Sequence, residues 1–356
     1  MSNFHLDLYD QNGVRKAVLS DALTLNYQVK VNYPGNVTFT LHGDHEMASQ
    51  ILPGWRCDVW RQLPNGTWRK EFMSFVEGIN WQYTDRPEIT YTGAGLLSIL
   101  SKRVVAYYAN TTDKTAFQNY SSELIAKLLV RDNVGYMATT ANGRLLNGVI
   151  TNFDYESSQN RGVTLNWFCA WENLLTTLQK LAKAGGFDFD VLPFGAGYRF
   201  YWYLGQLGTD RTSSVIFSLE RGNMSNPRHN QNVSGAANVA VVGGKGEDSL
   251  RQIQVVQGVD YSTLTHSETF LDATDVDTAE ALIDRGEGKL AELNVSSKFE
   301  FEILQSEYSN WNVDYFLGDL VKVISPRDGS VFVSKIDSAV VSFTESGSET
   351  IEIGVE

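Results

Sequence analysis

The sequence predicts a mainly β protein in which a helix-containing α+β segment separates two β-rich units. Three observations carry that prediction. Short runs of alternating apolar and polar residues, broken by Gly, Pro and Asn, fill residues 1–104 and return in the last third of the chain. Between them lie stretches with apolar residues three or four positions apart, the spacing of an amphipathic helix. Hydrophobic residues make up 42% of the 356 and charged residues 20%, a balance suited to a packed core and not to a disordered chain.

The first unit, 1–104, opens with Phe4, Leu6 and Leu8 alternating with His5 and Asp7. Asn12-Gly13 then marks a hairpin, because both residues tolerate positive φ. Leu25, Tyr27 and Val29 form the next alternation, Tyr33-Pro34-Gly35-Asn36 a turn, and Val37, Phe39 and Leu41 another strand. Residues 59–62 and 68–75 flank Pro64-Asn65-Gly66 as a further hairpin, and 93–100 close the unit with a short helix. Many short strands joined by tight turns point to a small barrel or sandwich.

The second unit, 105–235, is the α+β segment. A helix is expected over 117–130, with Leu124, Ile125, Leu128 and Leu129 on one face. Another is expected over 166–183, carrying Phe168, Trp171, Leu174, Leu175, Leu178 and Leu181, and ended by Gly185-Gly186. Residues 187–191 and 198–204 read as a hairpin beneath it. The third unit, 236–356, is β-rich again, with one inserted helix at 276–293. Phe299, Phe301 and Ile303 alternate there with Glu300 and Glu302, and strands follow at 320–324, 331–336, 340–343 and 351–355.

Charge and composition narrow the function. A formal charge of −13 argues against gripping nucleic acid, whose phosphates need Lys and Arg clusters. No apolar window is long enough for a membrane-spanning helix. The opening Met1-Ser2-Asn3-Phe4-His5 lacks the basic and apolar regions of a secretory signal, so synthesis in the cytoplasm is expected. Cys57 and Cys169 sit in apolar strings and read as buried free thiols.

Four constellations could carry chemistry. Gly243-Gly244-Lys245-Gly246 suggests a phosphate loop, but no hydroxyl follows Lys245, strand-like residues follow where a helix should start, and Glu247 and Asp248 would repel phosphate. A β-hairpin turn is the expected reading. His42 and His45 stand three apart across Gly43 with no third ligand, and read as a polar turn. Asp188 and Asp190 share one face of a strand, at a spacing a glycosidase pair could use, but their alternation with Phe187, Phe189 and Val191 reads as an ordinary solvated face. Phe200-Tyr201-Trp202-Tyr203 reads as core or interface. No catalytic, cofactor-binding or metal-binding residue is assigned. Two rival uses remain: a carbohydrate-active or wall-degrading enzyme using Asp188 and Asp190, or a receptor-binding module using the Tyr201–Tyr203 cluster.

Several landmarks, in order, resemble the tail hub (baseplate hub, or minor tail) proteins of long-tailed bacteriophages. They are Asn32-Tyr33-Pro34-Gly35 leading to Phe39 and Leu41, the stretch 91–105 with Leu96, Leu97, Leu100, Arg103 and Val105, the stretch 239–251, and Tyr315-Phe316-Leu317-Gly318-Asp319-Leu320-Val321. The resemblance implies two small β-barrel, tube-type domains separated by the α+β domain. It implies a structural virion protein and not an enzyme: a homotrimeric hub at the distal end of the tail, adapting a sixfold tube to a threefold tip. The partners implied are tail-tube or distal-tail rings, fibre or tip proteins and the tape-measure protein, with no cofactor. DNA would pass through without specific binding, and part of the acidic excess would line that channel. Family members often carry a further lytic or fibre domain. This chain ends on Ile351-Glu352-Ile353-Gly354-Val355, so such activity is expected on another protein.

Overall fold

The computed structural model describes residues 3–83, 86–106, 114–274, 276, 278–293, 296–306 and 309–356. The chain resolves into two compact units: Met1–Pro227 with Phe301–Val355, and Arg228–Glu300 with Glu356. This grouping differs from the linear division at 104/105 and 235/236, because compactness follows the sheet and not the chain order. The chain is mainly β, with 46% strand and 14% helix, as its alternating pattern predicts.

The first segment supplies β1 (Phe4–Tyr9), β2 (Arg15–Leu19), β3 (Thr24–Lys30), β4 (Tyr33–His42), β5 (Arg56–Gln62), β6 (Trp68–Gln82), β7 (Glu88–Gly95) and the one-turn α1 (Ser98–Ser101). The alternation does what it should. Leu6, Leu8, Tyr27, Val37, Phe39, Val59 and Tyr91 are all buried, and most of the residues between them are more open to solvent.

The α+β segment supplies β8 (Thr115–Ser121), α2 (Ser122–Asn133), β9 (Phe153–Tyr155), β10 (Thr164–Cys169), α3 (Leu174–Gly185), β11 (Phe187–Phe194) and β12 (Gly197–Leu204). Both helices start later than the apolar spacing predicts. Residues 117–121 belong to β8, and Ser121 caps α2 by accepting the Leu124 N–H at 3.2 Å. Residues 166–169 belong to β10, and Asn173 caps α3 through the Thr176 N–H at 3.2 Å. Phe168 and Trp171 therefore lie off the helix, and Trp171 takes a left-handed φ of 58°. An aromatic residue at helical spacing is no guide where a side-chain cap starts the helix later. The stop is as expected: Gly186 takes φ 61° after α3, a conformation that favours glycine. Leu174, Leu178 and Leu181 of α3 share one core with Phe187, Phe189, Val191, Phe200 and Trp202 of the β11–β12 hairpin.

The remaining elements are β13 (Ile216–Phe217), β14 (Met224–Asn232), β15 (Val239–Gly243), β16 (Ile253–Gln257), β17 (Glu268–Asp272), α4 (Ala279–Glu292), β18 (Ser296–Ile303), β19 (Leu320–Ile324), β20 (Val331–Phe343) and β21 (Glu349–Val355). The smaller unit is a three-stranded sheet, ordered β16-β15-β17, with α4 against it. Gly286 lets that helix lie close, since a Cβ there would meet Val256 Cγ2 at 2.5 Å. The expected helix at 276–293 corresponds to α4, with residue 277 outside the described residues.

Strands far apart in the chain join one sheet. Its order runs β14-β18-β21-β20-β3-β4-β7-β6-β5-β1-β2, with β19 on β20 and β13 on β19. The long β20 joins its two ends. One edge pairs antiparallel with β3 from Ser338↔Lys30 to Phe343↔Leu25, and β20 also pairs with β21 and, earlier along the strand, with β19. A buried ion cluster accompanies this junction. Arg61 is fully buried and meets Glu71 at 2.9 Å, Glu349 at 2.8 Å and the Trp311 carbonyl at 3.0 Å. The Tyr27 hydroxyl donates to Glu71 as well. Residues of β3, β5 and β6 are thereby tied to β21 and the segment before β19.

Breaking such a cluster by removing one partner leaves buried charge without compensation. Arg61→Met should lower unfolding free energy by about 3–5 kcal/mol, measured by urea denaturation. A loss under about 1 kcal/mol would contradict a structural role for the cluster.

Candidate functional site

The residues singled out in the sequence fall in very different surroundings. The glycine-rich loop joins β15 to β16, which pair antiparallel from Val239↔Gln257 to Gly243↔Ile253, so it is the hairpin turn expected. Its backbone is already committed. The Gly244 and Lys245 N–H groups donate to the carbonyls of Gln252 and Val276, each at 2.8 Å. Arg251 donates to the carbonyls of Gly243 and Gly244 and pairs with Asp272. A phosphate cradle presents free N–H groups, whereas this loop presents carbonyls to a guanidinium.

His42 and His45 are used within their own turn. The Asp44 N–H donates to His42 Nδ1 at 3.2 Å, and the Met47 N–H donates to His45 Nδ1 at 3.1 Å. His45 Nε2 lies 3.3 Å from Asp21. Among the described residues no group of His, Cys, Asp and Glu is arranged to hold a metal ion. Both cysteines are free and buried; burial raises the Cys57 thiol far above its usual range and pushes Cys169 up to about 12. Neither thiol is set up as a nucleophile.

The aromatic run splits by strand parity. Phe200 and Trp202 are buried, while Tyr201 and Tyr203 stack on the other face with centroids 6.4 Å apart. That other face is also where the two aspartates lie, since Asp188 pairs with Tyr203 and Asp190 with Tyr201 across the hairpin.

Asp188 departs from the expectation of a solvated face: only 2% of it is exposed. Its carboxylate accepts from Asn32 Nδ2 at 3.0 Å and the Leu207 N–H at 2.8 Å. Lys335 Nζ donates to both of its oxygens, at 3.1 and 3.2 Å. Asn32 belongs to the turn between β3 and β4, where its φ of 61° is left-handed. Its Oδ1 accepts from the Phe189 N–H at 2.7 Å, and its own carbonyl accepts from Gln179 of α3 at 2.9 Å. Lys335 sits on β20. One carboxylate therefore gathers donors from all three linear segments. The helical side of the hairpin takes Phe187 and Phe189, and groups from the first and third segments cover Asp188 on the other, so alternation here does not separate core from solvent.

A second carboxylate works the same way. Asp319, 1% exposed, accepts from the N–H groups of Thr209 at 2.7 Å and Phe316 at 2.8 Å, and from Arg211 Nε at 2.6 Å. It fastens the chain leaving β12 to the start of β19. The two landmarks built on Asn32 and Asp319 are thus joints between segments.

Asp190 has a different fate. Its carboxylate accepts from the neighbouring Val191 N–H at 2.7 Å, and burial raises it from the usual 3.8 to about 7. It is a half-buried acid that meets no cation among the described residues, beside a partner aspartate that is fully engaged. A glycosidase pair needs one carboxylate free to attack or to activate water. Asp188 has no free face for that, and this geometry lends the enzymatic rival no support.

Sequence models and solved structures place the fold among known proteins. A sequence model of the siphovirus ReqiPepy6 Gp37-like protein family matches residues 5–355. No curated protein sequence matches the chain. The 43 kDa tail protein of prophage MuSo2 from Shewanella oneidensis superposes with a TM-score of 0.62 at 15% identity, covering 100% of this chain and 98% of that one. A tail protein from Neisseria meningitidis MC58 gives 0.61 at 11% identity, over 99% and 96% of the two chains. The prophage tail protein gp18 from Listeria monocytogenes EGD-e gives 0.57 at 10%, over 99% and 94%. At these identities the likeness is one of fold.

Two measurements test the aspartate node. Lys335→Met leaves Asp188 buried without its cation and should cost about 2–3 kcal/mol in unfolding free energy, while the paired change Asp188→Asn/Lys335→Met, which removes both charges and keeps an acceptor oxygen at 188, should cost less than the sum of the two single changes. Additive losses would contradict a coupled pair. For Asp190, a folded pKa above the unfolded one makes ionisation costly, so stability falls as pH rises from 3.8 to about 7. Asp190→Asn removes that cost. Because the residue is partly open to solvent, the discounted gain at pH 8 is about 1–2 kcal/mol, closing by about pH 4. An equal gain at both pH values would show that charge is not the cause.

Proposed function

Because the chain belongs to the siphovirus ReqiPepy6 Gp37-like protein family, we propose that it is a structural component of a phage tail, acting as a trimeric hub at the distal end. The observation that carries this reading is the double pairing of β20. It holds the N-terminal strands and the C-terminal strands in one sheet, so a single chain offers β structure from both of its ends side by side. Three such chains supply six modules, the number needed to meet a sixfold tube with a threefold tip. We read the linear segments 1–104 and 236–356 as those two tube-type modules and 105–235 as the domain between them. The full-length likeness to prophage tail proteins supports the same reading.

The partners follow from that position: tail-tube or distal-tail rings on one side, fibre or tip proteins on the other, and the tape-measure protein within. DNA would pass along the axis. An acidic lumen repels phosphate over about one Debye length, roughly 8 Å at physiological salt, so we place part of the −13 charge there. A net-basic lumen would overturn that element. Among the described residues no helix is long and apolar enough to cross a membrane.

Native mass spectrometry of the purified chain, alone and with the tail-tube protein, tests the hub. The expected species has three times the chain mass in at least one of the two samples. A monomer in both, with no complex, would contradict the proposal.

A further inference from the structure

The larger unit holds a groove of about 340 Å³ whose walls come from the β3–β4 turn, β6, the end of β11 and the segment before β19. Its floor is apolar, with Phe72, Leu96, Leu192, Pro193 and Phe316 among the lining residues. Three cations line it, of which Lys70 is paired with Asp58 at 2.8 Å and the other two are Arg69 and Lys30. Arg69 donates to the Asn312 carbonyl at 2.7 Å and lies over the Phe316 ring, and Lys30 lies over the Tyr33 ring. Neither meets a carboxylate among the described residues. In a chain carrying −13, the groove thus sets two cations without a carboxylate partner beside an apolar floor.

Trp311 also lines the groove; it is 1% exposed, and its indole N–H has no acceptor among the described residues. The indole N–H groups of Trp60, Trp167 and Trp202 are unpaired among the described residues as well, so this one adds a polar atom beside the groove and does not by itself mark a ligand. The carboxylates lining the groove do not neutralise Arg69 or Lys30. Glu71 is taken by Arg61 and Tyr27. Asp190 is held up to about 7 by burial, so its repulsion of an anion is reduced near neutrality.

We propose that this groove binds an extended peptide segment of a partner protein that carries an aliphatic or aromatic side chain next to a carboxylate. The apolar floor takes the side chain. Arg69 and Lys30 take the carboxylate. The volume is at the small end of specific clefts, which begin at about 300 Å³, and suits two or three residues. A nucleic-acid strand fits poorly, since phosphate backbones need clusters of cations along their length. The inference needs no trimer, so it stands or falls apart from the hub reading.

The test uses the full chain and fluorine NMR of two peptides: acetyl-Glu-Leu-(para-fluoro-Phe)-Glu amide, and the same peptide with both Glu replaced by Lys. The acidic peptide should bind saturably and at least about tenfold more tightly than the basic one. Lys30→Gln/Arg69→Gln and, separately, Leu192→Glu should each weaken it by about tenfold or more, with melting temperatures that show both variants folded. Equal binding of the two peptides, binding unchanged in both folded variants, or no saturable binding at millimolar peptide would overturn the proposal.

Discussion

The buried carboxylate of Asp188 is the constraint on which the larger unit depends. A buried charge is costly unless its lone pairs find donors. Asp188 finds its donors on Asn32, Leu207 and Lys335, and so cannot be satisfied unless all three linear segments are in place. Hydrophobic burial drives the collapse of each segment, but it is non-directional and leaves the way segments meet loosely specified. The polar joints at Asp188, Asp319 and Arg61 are directional, and they fix that meeting.

That fixing gives the shared sheet its use. β20 is hydrogen-bonded to strands from both ends of the chain, and a slip of one residue would turn every core side chain of it outward. Arg61 on β5 reaching Glu349 on β21, and Lys335 on β20 reaching Asp188 on β11, both hold that register. The hub proposed above would use such a fixed register to present two modules to a ring. The smaller unit has its own core of Ala240, Val242, Val256, Ala273 and Leu282, and folds by ordinary helix-on-sheet packing.

Much of the fold is legible in the sequence. Period-two alternation locates β1, β3 and β4, and Gly185-Gly186 locates the end of α3. The failed motif chemistry of residues 243–246 correctly reduces that loop to a turn. The aspartate node is not legible. Asp188 alternates with phenylalanines as a solvent-facing residue would, and its partners Lys335 and Asn32 lie 147 and 156 residues away, beyond any local pattern. The helix starts are misplaced because Phe117 and Phe168 fall in phase with the leucines that follow, while the caps Ser121 and Asn173 carry a weaker signal than the apolar spacing. Of the resemblance landmarks, Asn32 and Asp319 have a physical reason: each is a joint that only the folded chain reveals.

The central claim is that one chain presents two yoked β modules to a ring. An image of the native tail assembly at secondary-structure resolution tests it most directly. Three copies of the chain should surround the axis and contribute six β modules to a closed ring, with β20 running unbroken between the two modules of each copy. Six copies with one module each at the ring, or a single copy off the axis, would contradict it.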